Sequence, residues 1–372
     1  MSDTLRSEQF QCVGENEHEH SKRHTMSSPI FIVGANRSGT TLLRLILNAH
    51  PRIAIPDELF YFDTHLQGLP VEQWRQPGLS TAAYEDFVDR FLSFDSGVIA
   101  DLDREAVKRA ILLGSADLRR PYECVLEAWA TEHGKARWGE KTPGNLFYVD
   151  ILYDMFPEAH FLYVVRDPRA GVASMQDVSF FPNDVMFNAL SRRKYDTAGR
   201  ALLEKSIPRS QRMTVRYEDL VRDPQETIRS VCEFVEEEFV PGMLHFHEDA
   251  GTYMKDEAEQ SYNATATHPI TDEYVDAWTD RLTPRQVGVV ESVCAEVMET
   301  AGYVPTDRDL SAYDRVTIAV KRAYWAYQEW KARDARHYTV KHPLFARTRT
   351  RLQSLLRGGS RALRWISPFH TR

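Results

Sequence analysis

The 372-residue chain is 27% charged and 42% hydrophobic, a globular balance with ample material for a core. Its net charge of −8 hides an asymmetry: residues 311–372 hold 14 Lys and Arg against 3 Asp and Glu, leaving −19 on residues 1–310. An acidic body argues against nucleic-acid partners. The four scattered cysteines form no CxxC pair or disulfide framework and suit a reducing cytoplasm, and no run approaches the roughly 18 apolar residues of a membrane span.

Residues 1–28 are polar and aperiodic and read as a disordered leader, with His18, His20 and His24 solvated rather than metal-binding. Ile30 to Val33 is an apolar run of the kind that forms a buried parallel strand. Gly34 to Gly39 breaks the pattern, and Thr40 to Leu47 resumes it as a helix that ends before His50-Pro51. Strand, glycine-bounded loop and helix together are the setting in which backbone N–H groups hold an anionic phosphate. A nucleoside-triphosphate loop continues Gly-Lys-Ser/Thr, whereas Gly39 is followed by Thr40-Thr41, so that lysine is missing. Arg37 is the remaining cation in the loop and suits a bidentate grip on phosphate or sulfate oxygens. An ordinary strand-to-helix turn is the competing reading, which the context disfavours.

The stretch GANRSGTTLLRLILNAHP resembles the 5′-phosphosulfate loop of sulfotransferases that use 3′-phosphoadenosine-5′-phosphosulfate (PAPS). The resemblance is strongest to the branch that includes the tyrosylprotein sulfotransferases and many bacterial relatives. It implies that Arg37, Ser38, Gly39, Thr40 and Thr41 hold the 5′-phosphosulfate, and that a glutamate soon after the loop helix is the general base. Glu58 matches that place, with Asp57 beside it as the alternative. Eukaryotic members are usually anchored in the Golgi by an N-terminal span; the lack of one here points to a soluble, cytoplasmic, bacterial enzyme.

Beyond Glu58, helical patterns at 82–94, 104–113 and 122–131 describe a mostly helical insertion. Its aromatics Phe60, Tyr61, Phe62 and Trp74 serve either an acceptor pocket or the core. Trp138 to Asn145 is dense in charge and turn residues; the resemblance gives Lys141 a role at the transferring group, and an incidental surface turn is the alternative. His160 to Val165 reads as a second buried strand, followed by Asp167 as a helix cap and Pro168 in the first turn. Ligands of open α/β sheets lie beyond the carboxyl ends of strands, which puts Arg166 over the same edge as the first loop. RDPRAGVASM resembles the family's 3′-phosphate motif through Arg166 and Ser174, although Val178 stands where some relatives have another basic residue.

Gln211 to Tyr217 is a third strand, and the resemblance sets Tyr217 near the nucleotide. Asp223, Pro224 and Glu226 spell a capping box for the next helix. Residues 251–271 read as a mobile polar loop; relatives place a lysine before a proline there, and this chain has His268-Pro269. A last helix starts at Thr283-Pro284, carries Val287, Val290, Cys294, Val297 and Met298, and stops before Gly302.

In residues 304–372, Tyr313, Val316, Val320, Ala323, Tyr324 and Tyr327 share one helical face, and further on arginines oppose Leu352, Leu355 and Leu356. Such a tail suits the surface of an anionic membrane; a basic helix docked on the acidic body, or a disordered tail, is the alternative that the Gly358-Gly359 interruption favours.

The expectation is an α/β, P-loop-like parallel sheet flanked by helices, with a helical insertion and a basic helical C-terminal extension. Residues 29–303 form the sulfotransferase domain. The resemblance implies transfer of the sulfuryl group from PAPS to a hydroxyl of a carbohydrate, lipid or small metabolite, with PAP as product and no metal required. A P-loop kinase or NTPase, and a non-catalytic nucleotide-binding protein, are the alternatives.

Overall fold

The computed structural model describes residues 28–66, 78–94, 97–178, 181–254, 264–306 and 308–334. The leader, Trp74 and the arginine–leucine stretch after 341 therefore lie outside the described residues. Five parallel strands, β1 (Ile30–Gly34), β2 (Ile53–Ala54), β3 (Arg137–Lys141), β4 (His160–Val165) and β5 (Arg212–Arg216), make one sheet in the order β2-β3-β1-β4-β5. Covered on both faces, the neighbouring strands β1 and β4 are apolar at nearly every position. Phe31 and Val33 of β1 and Phe161 and Tyr163 of β4 face one core. Ile30, Ile32, Leu162 and Val164 face the other.

The first core is closed by helices α2 (Thr81–Leu92), α3 (Arg104–Leu112), α4 (Arg119–Glu132) and α5 (Val149–Met155), and the second is closed by α1 (Thr40–Asn48) and helices that follow β5. The insertion between β2 and β3 is thus helical, and its Tyr61 and Phe62 belong to the core, while Phe60 is half-buried at a positive φ of 50°. Tyr61 is buried, stacks on Tyr122 at 4.8 Å and donates its hydroxyl to the Leu118 carbonyl at 2.6 Å.

Three expectations need correction. Residues 137–141 form a fully buried strand rather than a turn, because its polar side chains find partners inside the protein. Arg137 donates to the Ser28 carbonyl at 2.7 Å, and Asn145 donates to Glu140 at 2.6 Å. The capping box at Asp223 does not form. Asp223 sits at φ −132°, ψ 65°, its N–H bonds back to Asp219, and its carboxylate caps nothing as α6 (Tyr217–Arg222) turns straight into α7 (Pro224–Phe234). Asp167 does cap the helix after β4, accepting from the Arg169 N–H at 2.8 Å. Thr283 and Gln286 form a reciprocal capping box. Cys124 is disulfide-bonded, contrary to the cysteine reading, while Cys232 and Cys294 are buried free thiols.

A third apolar cluster joins Pro168–Gln176 and Val185–Lys194 to Pro284–Val293 and Ala295–Ala301, two helices separated by a break at Cys294. The last helix, Ala312–Asp334, docks by Ile318 and by an Arg285–Asp314 ion pair at 2.5 Å. Its Tyr313, Val316, Val320, Tyr324 and Tyr327 stripe faces solvent, with Tyr313 73% exposed. Among the described residues no helix is long and apolar enough to cross a membrane.

The sheet is tightest where β1 hands over to its loop. A Cβ added at Gly34 would stand 2.5 Å from the Val164 carbonyl oxygen, which is main chain and cannot swing aside. Gly34→Ala should therefore cost about 1–3 kcal/mol, the usual penalty of overpacking. Urea denaturation reads this as a lower midpoint at constant slope; an unchanged midpoint would mean that β1 and β4 have slack.

Candidate active site

Three neighbouring strands, β3, β1 and β4, deliver the candidate residues to one edge of the sheet. After β1 the chain turns through Arg37 and Gly39, both at positive φ (63° and 99°), and enters α1 with no side-chain cap and no acidic residue in its first turn. That leaves the N-terminal N–H groups and the positive end of the helix dipole to an anion. Gly39 is held close by Tyr217, whose ring carbon Cδ2 would lie 2.5 Å from an added Cβ.

The two nucleotide motifs meet here although they are far apart in sequence. Arg37 Nε donates to Ser174 Oγ at 3.1 Å, and Arg166 donates to the Arg37 carbonyl at 3.2 Å and to the Tyr274 carbonyl at 2.8 Å. The Arg166 guanidinium lies 4.0 Å above the Tyr217 ring. Arg37, Thr40, Thr41, Arg166, Tyr217 and Tyr274 line one cleft, and His268 and Pro269 line it as well. So His268-Pro269, distant in sequence from both motifs, lies at the same cleft. Ser38 Oγ and Arg166 Nε are buried with no hydrogen-bond partner among the described residues. Buried polar atoms are normally paired, so Arg166, which lines the cleft, fits one built to receive an anionic, oxygen-rich group such as PAPS, with Ser38 in the loop beside it.

The base candidates sit to the β3 side. Lys141 Nζ donates to Glu58 Oε1 at 2.6 Å and lies 3.5 Å from Asp57 Oδ1, and Arg44 is 3.8 Å from Asp57. Lys141 is 1% exposed and Glu58 20%, so the pair is reached from the Glu58 side. Burial pushes the Glu58 carboxyl above its ordinary range; Lys141 opposes this and Asp57 adds to it. The neighbouring Glu140 is raised to about 7, first by burial, although Thr142 donates to it. Of the two candidates, Glu58 holds the direct bond to Lys141, and Asp57 is shared between two cations.

Residues 185–199 also reach the site, and nothing in the sequence marked them. Tyr195 shares a hydrogen bond with Asn36 of the loop and lies within the electrostatic reach of Glu58. It opens a π-helical turn, Tyr195–Gly199, a widened geometry frequent at functional sites that leaves no reliable trace in side-chain periodicity. Arg192 contacts both the loop and the end of β4 from the same segment.

Comparison with known proteins agrees with this architecture. Residues 29–241 match the profile described as "Sulfotransferase family". The chain is 28% identical over 225 residues to a protein-tyrosine sulfotransferase of Drosophila melanogaster, covering 59% of this chain and 40% of that protein's length. It is 26% identical over 326 residues to the nodulation protein NoeE of Sinorhizobium fredii, covering 81% and 72%. The sulfotransferase domain from the curacin biosynthetic pathway has the same fold, at a TM-score of 0.52 with 20% identity, over 75% of this chain and 98% of that domain. The profile spans more than half of the chain, from the strand before the Arg37 loop to beyond β5, and the chain belongs to the sulfotransferase family, whose members take a sulfuryl group from PAPS and release PAP.

Proposed function

We propose that Glu58 is the general base of a sulfuryl transfer from PAPS to an acceptor hydroxyl, with Lys141 at the transfer point and the Arg37 loop and Arg166 holding the nucleotide. The observation that carries this reading is the 2.6 Å Lys141–Glu58 pair at the end of β3, beside the loop that follows β1. PAPS, when bound, supplies the sulfuryl group. Arg37, Thr40, Thr41 and the N–H groups opening α1 hold the 5′-phosphosulfate and stabilise charge developing on the departing phosphate. Ser38 adds the buried hydroxyl that lacks a partner among the described residues. Arg166 and Ser174 hold the 3′-phosphate, Tyr217 packs beside the nucleotide, and His268 supplies the contact that relatives make with lysine.

Glu58 accepts the hydroxyl proton as the oxygen bonds to sulfur, and Lys141 holds the carboxylate ionised against the cost of burial. We keep a carbohydrate, lipid or small metabolite as the acceptor class, with a peptide tyrosine as the competitor suggested by the protein-tyrosine sulfotransferases that the chain resembles. We also place the chain at the cytoplasmic face of a membrane. Support comes from the exposed tyrosine–valine stripe of helix 312–334 and the basic sequence after it; the bonded Cys124 weighs against a reducing compartment.

Glu58→Gln should lower kcat by about 10² or more, the usual share of a general base, while PAP affinity is retained. Asp57 stays beside Lys141 in that variant, so the lysine is not left isolated. In wild type, kcat should fall on acidification through a midpoint above the usual carboxylate value of about 4.3. Lys141→Met removes the charge that lowers the Glu58 pKa and should move this limb to higher pH. Full activity in Glu58→Gln, or a limb that stays in place in Lys141→Met, counts against these roles. For the membrane contact, the protein should pellet with anionic but not neutral vesicles at low salt and release at high salt; indifference to both kinds of vesicle removes that part of the reading.

A further inference from the structure

The Arg37 loop and the end of β4 share a support that belongs to neither motif. Arg192, in the last turn of Val185–Lys194, is fully buried. Its guanidinium donates to the Arg166 carbonyl at 2.7 Å and to the Asn36 carbonyl at 3.4 Å, and its Nε donates to Asp196 Oδ2 at 2.6 Å. Asp196 is fixed in turn by the Tyr163 hydroxyl of β4 at 2.7 Å. Asp196 already balances the charge, so the remaining donors are directed at main chain. One carbonyl belongs to the residue before Arg37 and the other to Arg166 itself.

The helix after β4 leaves space for this group. A Cβ added at Gly171 would stand 2.6 Å from Arg192 Nη1 and 3.3 Å from Cζ. Gly171 sits within helix Pro168–Gln176, where alanine is the better helix former. A glycine there makes sense only if the space has a use.

We propose that Arg192 is a positioning residue for the nucleotide: its guanidinium clamps the Asn36 and Arg166 carbonyls together, so that Arg37 and Arg166 meet the two ends of PAPS at a fixed spacing, and Gly171 is the opening that admits it. The proposal rests on the assignment of Arg37 and Arg166 to the nucleotide. A planar, five-donor guanidinium can bond a carboxylate and two carbonyls at once, and a lysine cannot.

The test is Gly171→Ala, whose methyl must push the guanidinium away while favouring the helix. PAP affinity, measured by calorimetry well below the melting transition, should weaken about tenfold or more, alongside a lower melting temperature of the ligand-free protein, since buried bonds of the guanidinium are disturbed. In the double variant with Arg192→Lys the methyl has no Nη1 to strike, so the effects should be non-additive and the double should bind PAP no worse than Arg192→Lys alone. Affinity within twofold of wild type, or additive losses of affinity, would each overturn the proposal. If Gly171→Ala yields no folded protein, Arg192→Lys decides: a tenfold loss of PAP affinity in the folded variant supports the clamp, and unchanged affinity overturns it. Wild-type protein that fails to bind PAP would instead remove the nucleotide assignment on which the clamp depends.

Discussion

Strand β1 is wedged between two parallel neighbours, and this close packing sets everything around it. Gly34 lies against the Val164 carbonyl, and Gly139 of β3 lies against the Ile30 carbonyl, where an added Cβ would stand 2.6 Å away. With the three backbones held so near, their carboxyl ends open onto one edge. Lys141 leaves β3, the Arg37 loop leaves β1, and Arg166 leaves β4. Each strand contributes chemistry of a different kind, and the sheet order makes them neighbours. This is the general habit of open α/β sheets, which place ligands beyond the strand ends where connections diverge to opposite sides.

The electrostatics of that edge are a contest between burial and pairing. Arg166 is lowered by burial, with Tyr217 and Glu218 acting in the opposite sense, and Glu58 is raised by burial against the pull of Lys141. Asp57 and Arg44 extend the base pair into a small network of alternating charge. Removing one member of a buried pair commonly costs more than the pair itself contributes. Such a network therefore tolerates substitution best where a second partner remains.

Much of this was legible beforehand, for physical reasons. Strands β1 and β4 read correctly because both-face burial demands apolar runs, as in HFLYVV, whereas β5, at the edge of the sheet, buries only Val215. The α1 boundary followed from glycine before it and His50-Pro51 after it. Strand β3 was hidden because hydropathy cannot see Arg137, Glu140 and Lys141 being satisfied by partners distant in sequence. Asp223 failed as a cap because the turn between α6 and α7 took its backbone out of the capping region. For helix 312–334 the apolar stripe was plain, yet the docked side is the other one, held by Ile318 and the Asp314 ion pair. The roles of Arg192 and Tyr195 depend on a tertiary meeting with Asn36 that no local pattern encodes.

The central claim is that this edge recognises a nucleotide phosphorylated at both its 5′ and 3′ positions. The most direct measurement is a calorimetric comparison of PAP with ADP, which carries two phosphates as well, both on the 5′ carbon. If Arg166 and Ser174 hold a separate 3′-phosphate, PAP should bind at least about 100-fold more tightly, a difference of about 2.8 kcal/mol. Equal affinities would contradict the account, because the cleft would then be sensing charge alone.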